Sequence, residues 1–163
     1  MNAARSGLGL SLVLGLVAFG LDRLHKDIQV DAMAWPVGPF REVTPFFDVG
    51  LVFNSGISYG LLGDVPLWAI SILVGIALLA LAVWWFRSRD PLVRAGLALC
   101  IGGALSNGLD RVIYGAVADF FHFHWGDWSF YIFNIADAAI TLGVLLLILD
   151  FLGIGRTRAA KPA

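Results

Sequence analysis

The sequence predicts an all-α polytopic membrane protein: four transmembrane helices carrying a small extracytoplasmic sheet. Composition is the first reason. Hydrophobic residues make up 59% of the 163 residues and charged ones 14%, against about 25% charged in soluble domains, and the mean hydropathy is +0.83. The second reason is that four apolar segments are long enough to be spans. The third is that lysine and arginine gather on one side of the resulting topology. This length suits a single membrane-embedded domain over 1–163. A net charge of −1, with no basic patch, leaves no nucleic-acid partner to expect.

The first span is expected at about 7–26. Its apolar stretch Gly7–Leu21 continues as helix through Asp22 to Lys26. These two residues are four apart, so they share a face and can pair; the plainer alternative is a helix end with a snorkelling lysine. Arg5, the apolar stretch and Ala18-Phe19-Gly20 also have the form of a cleavable signal peptide, but the polar face that follows argues for a retained span. The second span, 66–86, holds 21 residues without a charge, roughly 31 Å of helix. The third, 94–113, carries Gly102-Gly103-Ala104, small residues that let helices approach closely in lipid. Pro66 and Pro91 suit helix starts. The fourth, 128–151, is the apolar run from Trp128 with one charge inside it, Asp137.

Orientation follows from the basic residues. With the N-terminus in the cytoplasm, Arg5, Arg87, Arg89, Arg94, Arg156, Arg158 and Lys161 all lie inside, seven of the eleven. Both termini are then cytoplasmic, 153–163 is a basic cytoplasmic tail, and 27–65 and 114–127 are outer loops. Within those loops, Phe46–Asn54 reads as a strand followed by a turn at Asn54-Ser55-Gly56. Phe120–Trp125 alternates, with Phe121, Phe123 and Trp125 on one face and His122 and His124 on the other, a second strand. Trp35, Trp68, Trp125 and Trp128 fit an interfacial aromatic belt. The lone cysteine, Cys100, packs as a small hydrophobe.

Asp137 is the most informative residue. An ionisable group inside an apolar run is expensive to insert and marks a functional site by default. A second isolated carboxylate, Asp119, follows the third span. Two carboxylates brought close cannot both ionise easily. One keeps a proton and polarises a carbonyl, while the other takes a proton from water. Asn134 and Asp137 fall on one helical face, as do Asn107, Asp110 and Arg111, where Asp110 and Arg111 suggest either a structural ion pair or groups that orient a neighbouring catalytic residue. No serine has an evident base. A zinc site from His122, His124 and Asp119 or Asp127 lacks any supporting motif, so no metal is expected.

Taken together these motifs resemble the lipoprotein signal peptidases (signal peptidase II), bacterial membrane aspartyl endopeptidases. The resemblance runs from about Asp22 to Ile140. It rests on Asp22-x-x-x-Lys26, Asn54-x-Gly56, Gly-Gly-Ala-Leu-x-Asn107-x-x-Asp110-Arg111, Gly115-x-Val117-x-Asp119-Phe120 and Phe133-Asn134-x-Ala136-Asp137. It implies catalysis by Asp119 and Asp137, supported by Asp22, Lys26, Asn54, Gly56, Asn107, Asp110, Arg111, Asn134 and Ala136. It implies a four-span fold with an extracytoplasmic β-cradle and a mobile outer helix, in the bacterial inner membrane. The substrate implied is a prolipoprotein, cut on the amino side of its diacylglyceryl-modified cysteine. Membrane lipid is a partner, globomycin-type cyclic peptides are inhibitors, no cofactor is needed, and a monomer is expected. Two departures stand out: Ser58-Tyr59 where the family has Ala-Phe, and the segment 120–127, which matches no family motif and leaves the role of His122 and His124 open. Rival readings are a small transporter or proton relay using Asp137 and Asp110, and a non-catalytic assembly subunit. The first suffers from a second span without a charge, which leaves no polar path across the membrane.

Overall fold

The computed structural model describes residues 3–56 and 66–154, with side chains from Gly7 onward in the first helix. Ser58, Tyr59, the side chain of Arg5 and residues 155–163 of the basic tail lie outside the described residues. Helix α1 spans Ala3–Lys26 and runs on as a π-helical segment, Asp27–Ala32. Strands β1 (Arg41–Thr44) and β2 (Phe47–Asn54) come next, then α2 (Leu67–Arg87) and α3 (Pro91–Ile113). Strands β3 (Val117–Trp125) and β4 (Trp128–Ser129) precede α4 (Ile135–Phe151).

Among the described residues, three helical stretches are long and apolar enough to cross a membrane: Gly7–Ala32, Leu67–Arg87 and Pro91–Ile113. Of these, α3 is the most buried, because it packs against α1, α2 and α4. Its glycines allow the approach expected of them. A Cβ on Gly102 would stand 2.3 Å from the Gly15 carbonyl oxygen of α1, and one on Gly103 would stand 2.5 Å from the Ala136 carbonyl oxygen of α4. Pro91 occupies the first turn of α3, as anticipated, and the Asp90 carboxylate caps that helix by accepting from the N–H groups of Leu92 and Val93. The helix therefore begins three residues before the expected 94. Helix α2 buries only Ile70 and Trp85 and leaves much of its apolar surface exposed.

The fourth helix departs from expectation. It begins at Ile135, not at Trp128, and has 17 residues. The apolar residues ahead of it are not helical because β3 claims their backbone. The N–H of Phe130 donates to Phe123 O at 2.8 Å, and that of Phe133 to Phe121 O at 3.0 Å. Asn134 then caps the helix, its side chain accepting from Asp137 N while the Asp137 carboxylate accepts from Asn134 N, a capping box.

The segments between the helices form one antiparallel sheet in the order β1-β2-β3-β4. The two anticipated strands are its centre, and β1 and β4 add edges that alternation did not suggest. Phe47 packs on Phe121 and Phe123, while Asp48 faces His122 and His124 on the other side. Leu51, Ala118 and Phe120 make the buried core of the sheet. It docks on the end of α1 through His25, whose ring lies 4.6 Å from Phe120 and 5.3 Å from Phe121.

Candidate functional site

A fully buried ionic cluster lies where α1, α3, α4 and β3 meet. Lys26 Nζ is 2.7 Å from Asp22 Oδ2 and 2.7 Å from Asp110 Oδ2, with none of the three side chains exposed. The same Nζ donates to Asn107 Oδ1 at 2.9 Å. Arg23 pairs with Asp110 and also reaches Asp27 at 3.2 Å. Ser106 donates to Asp22 Oδ2 at 2.6 Å. Ion pairs of this kind survive burial only when each partner's remaining hydrogen bonds are met. Two of those bonds come from backbone N–H groups: Ala136 N–H donates to Asp22 Oδ1 at 2.9 Å, and Ala118 N–H to Asp110 Oδ2 at 3.0 Å. Ala136 precedes Asp137 and Ala118 precedes Asp119. The cluster thus pins the backbone next to each of the two carboxylates.

Those carboxylates arrive on different elements. Asp119 comes from β3 and Asp137 from the first turn of α4. Asn134 touches both. Its Nδ2 donates to Asp119 Oδ1 at 2.8 Å and its backbone N–H to Asp137 Oδ2 at 3.2 Å. Asn107 closes the circuit, donating through Nδ2 to Asp137 Oδ1 at 2.8 Å and accepting from Asn134 Nδ2 at 2.9 Å. Asn54 Nδ2 donates to Asp119 Oδ2 at 3.2 Å. Burial, and then the negative charge of Asp137, push the Asp119 carboxyl up to about 7 from 3.8. Both carboxylates line a cavity of about 190 Å³ that extends to Val74 of α2 and Ala104 of α3. It adjoins a cavity of about 460 Å³ along Asn54, Asp119, Tyr131 and Ile132.

Every catalytic or supporting residue implied by the resemblance falls in this assembly, with three changes of role. Lys26 does not snorkel; it is the centre of the buried cluster. Arg111 does not pair with Asp110. Its Nη2 donates to Gly56 O at 3.0 Å and its Nη1 to Asn107 O at 3.3 Å. The Gly56 N–H in turn bonds Asn54 Oδ1 at 3.0 Å, so one short turn positions both groups. Asn134 and Asp137 meet through a helix cap rather than as two residues on one helix face. Sequence reasoning missed Arg23 altogether. The available signal was geometric: adjacent residues on a helix do not face each other, so Asp110 needed a base other than Arg111.

The family model described as Signal peptidase (SPase) II matches residues 14–153. The lipoprotein signal peptidase of Methylobacterium radiotolerans is 42% identical over 167 residues, covering 100% of this chain and 95% of that protein. The lipoprotein signal peptidase of Beijerinckia indica is 48% identical over 145 residues, covering 87% of this chain and 85% of that protein. Among solved structures, a bacterial membrane enzyme determined in meso at 2.3 Å superposes with a TM-score of 0.82 at 29% identity, covering 95% of this chain and 94% of that one. A second bacterial membrane enzyme, determined in meso at 1.9 Å, gives 0.71 at 30% identity, with coverage of 90% and 94%.

Proposed function

The chain belongs to the signal peptidase II family, and on that footing we propose that it is an aspartyl endopeptidase which frees prolipoproteins of their signal peptides. The cut falls on the amino side of the diacylglyceryl-modified cysteine. The observation that carries this reading is Asn134, which bonds both Asp119 and Asp137 at a cavity open between the helices and the sheet.

The lipid-modified cysteine enters sideways from the bilayer, its acyl chains between helices and its peptide held near Asn54 and Arg111. Asp119 and Asp137 titrate as one unit. In the singly protonated pair, one carboxyl donates to the scissile carbonyl oxygen while its carboxylate partner takes a proton from the attacking water. As the tetrahedral centre collapses, the carboxyl that took the water's proton passes it to the leaving amine and the other regains its proton from the former carbonyl oxygen, which restores the singly protonated pair. No metal or cofactor takes part. Asp22, Lys26, Asn107, Asp110 and Ala136 keep the two carboxylate-bearing segments in register, and Gly56 fixes the turn that carries Asn54. Lipid contacts supply much of the binding energy, which serves catalysis by orienting the scissile bond.

In this reading all four helices span the inner membrane as a single domain. The termini are cytoplasmic and the carboxylate pair lies near the outer surface. The enzyme acts as a monomer, and globomycin-type cyclic peptides inhibit it by covering the pair. The decisive test is cleavage of a lipidated precursor by purified Asp119→Asn and Asp137→Asn, each expected to lose at least about a thousandfold. Wild-type-like turnover in either variant sinks the assignment.

A further inference from the structure

The larger cavity has an edge that the carboxylate pair does not explain. The smaller cavity reaches Val74, Ala104 and Ile140 on the helices, whereas the larger one is walled by the sheet and includes His122 and Ser129. Strict alternation along β3 would turn Asp119 and His122 to opposite faces. The strand breaks alternation between them. Phe120 N–H and Phe121 N–H both reach Phe133 O, at 3.0 and 2.9 Å, and both rings lie against His25. Two consecutive residues facing one is the pattern of a β-bulge, a device that re-aims side chains. Asp119 and His122 consequently line the same cavity.

His122 is held at both ends. Its Nε2 lies 2.7 Å from Ser129 Oγ and its Nδ1 lies 3.4 Å from Asp48 Oδ2. The ring stacks on His124 with centroids 5.3 Å apart, and His124 Nε2 also faces Asp48 Oδ2, at 3.2 Å. With Nδ1–H turned to Asp48, Nε2 accepts from the Ser129 hydroxyl, whose oxygen keeps lone pairs for a ligand. The order of groups is that of a serine-hydrolase relay. However, the link to Asp48 is long for a hydrogen bond, and the hydroxyl has a second acceptor in Phe130 O at 3.3 Å. The arrangement is a hydrogen-bonding edge rather than a nucleophile.

We propose that the His122–Ser129 edge is a subsite for the lipoprotein segment that follows the modified cysteine, where it takes a hydroxyl or amide side chain. This rests on the peptidase reading. The lipid-bearing part of the substrate belongs in the cavity among the helices. The mature part is water-soluble, and the sheet-walled cavity on the far side of Asp119 is the one that suits it.

The experiment compares two lipidated peptides, identical except for Ser-Ser or Ala-Ala after the cysteine, and reads the ratio of their kcat/KM values. Wild-type enzyme is expected to favour Ser-Ser by about threefold to tenfold, the worth of a hydrogen bond or two. The ratio should fall to about one in His122→Leu and in Ser129→Ala, the second being an exposed position that tolerates truncation. A wild-type ratio near one, with both peptides cut, overturns the subsite and leaves the peptidase reading standing. A preference unchanged in Ser129→Ala and in folded His122→Leu overturns the assignment to these residues. Failure to cut either peptide overturns both readings.

Discussion

Replacing Lys26 by methionine removes the charge at the centre of the buried cluster while keeping most of the side-chain volume. In the native protein Nζ lies 2.7 Å from each of the Asp22 and Asp110 carboxylates and 2.9 Å from Asn107 Oδ1. Asp22, Arg23, Lys26 and Asp110 cancel to zero net charge. Without Lys26 the Asp110 carboxylate keeps Arg23, but Asp22 keeps only the Ser106 hydroxyl and the Ala136 N–H. Breaking a buried pair by removing one partner costs about 3–5 kcal/mol. At about 2–4 °C per kcal/mol for a chain of this size, a loss of about 4 kcal/mol lowers the melting temperature by about 8–16 °C. Tryptophan fluorescence during heating in detergent reads the transition. Pairing Lys26→Met with Asp22→Asn completes a cycle in which the double variant should lose less than the sum of the singles, with a coupling of about 1–3 kcal/mol. Cleavage measured below both melting points should fall as well, because the cluster anchors Ala118 and Ala136. A drop under about 3 °C together with an additive cycle would refute the reasoning.

The Asp119 carboxyl is held up at about 7 in the folded protein against 3.8, so the folded state keeps a proton that the unfolded state gives up. Its stabilising contribution is therefore largest at low pH and is lost as pH rises through about 7, at most about 4 kcal/mol in all. Asp119→Asn should flatten the melting temperature between pH 4 and pH 7, and the wild-type cleavage rate should decline above about pH 7 as the pair loses its shared proton. Asn134→Ser keeps a competent helix cap but deletes the buried Nδ2 donor to Asp119, Asn107 and Ala118, so it should cost about 1–3 kcal/mol in stability and, assayed well below its melting temperature, lose activity at least about tenfold; equal activity would remove Asn134 from the positioning machinery. Gly103→Ala drives a Cβ to 2.5 Å from Ala136 O and should cost about 1–3 kcal/mol. Gly75→Ala, with nothing within 4 Å, should leave the melting temperature unchanged or slightly raised.

Much of the site was legible because its chemistry is written in residue types that an apolar chain rarely carries. Asp22, Lys26, Asn107, Asp110, Asp119, Asn134 and Asp137 stand out against a 59% hydrophobic background. The i, i+4 spacing of Asp22 and Lys26 allowed their ion pair beside the alternative of a snorkelling lysine, and Gly102-Gly103 announced a close helix approach. Partner choice between elements was harder to read. Arg23 went unread because nothing local ties it to Asp110, 87 positions away. The same limit hid β1 and β4, whose backbone partners lie on other strands.

The position of Asp137 is where hydropathy misled most usefully. Phenylalanine and isoleucine raise hydropathy equally in a strand edge and in a span, so Trp128–Phe133 and Ile135–Phe151 looked like one helix with a charge deep inside it. What separates them is hydrogen bonding. The first segment gives its N–H groups to β3, and Asn134 then starts a new helix with Asp137 three residues on. The sequence Asn-x-x-Asp is itself a capping pattern. Read that way, Asp137 need not be inserted deep in an apolar span at all. It stands in the first turn of α4, where N–H groups without intrahelical partners favour a negative charge, and the cap that starts the helix also ties it to Asp119. One asparagine thus sets where the helix begins, where along it the carboxylate lies and what it faces. For this reason Asn134→Ser, which separates the cap from the tie, discriminates more sharply than any substitution that removes both.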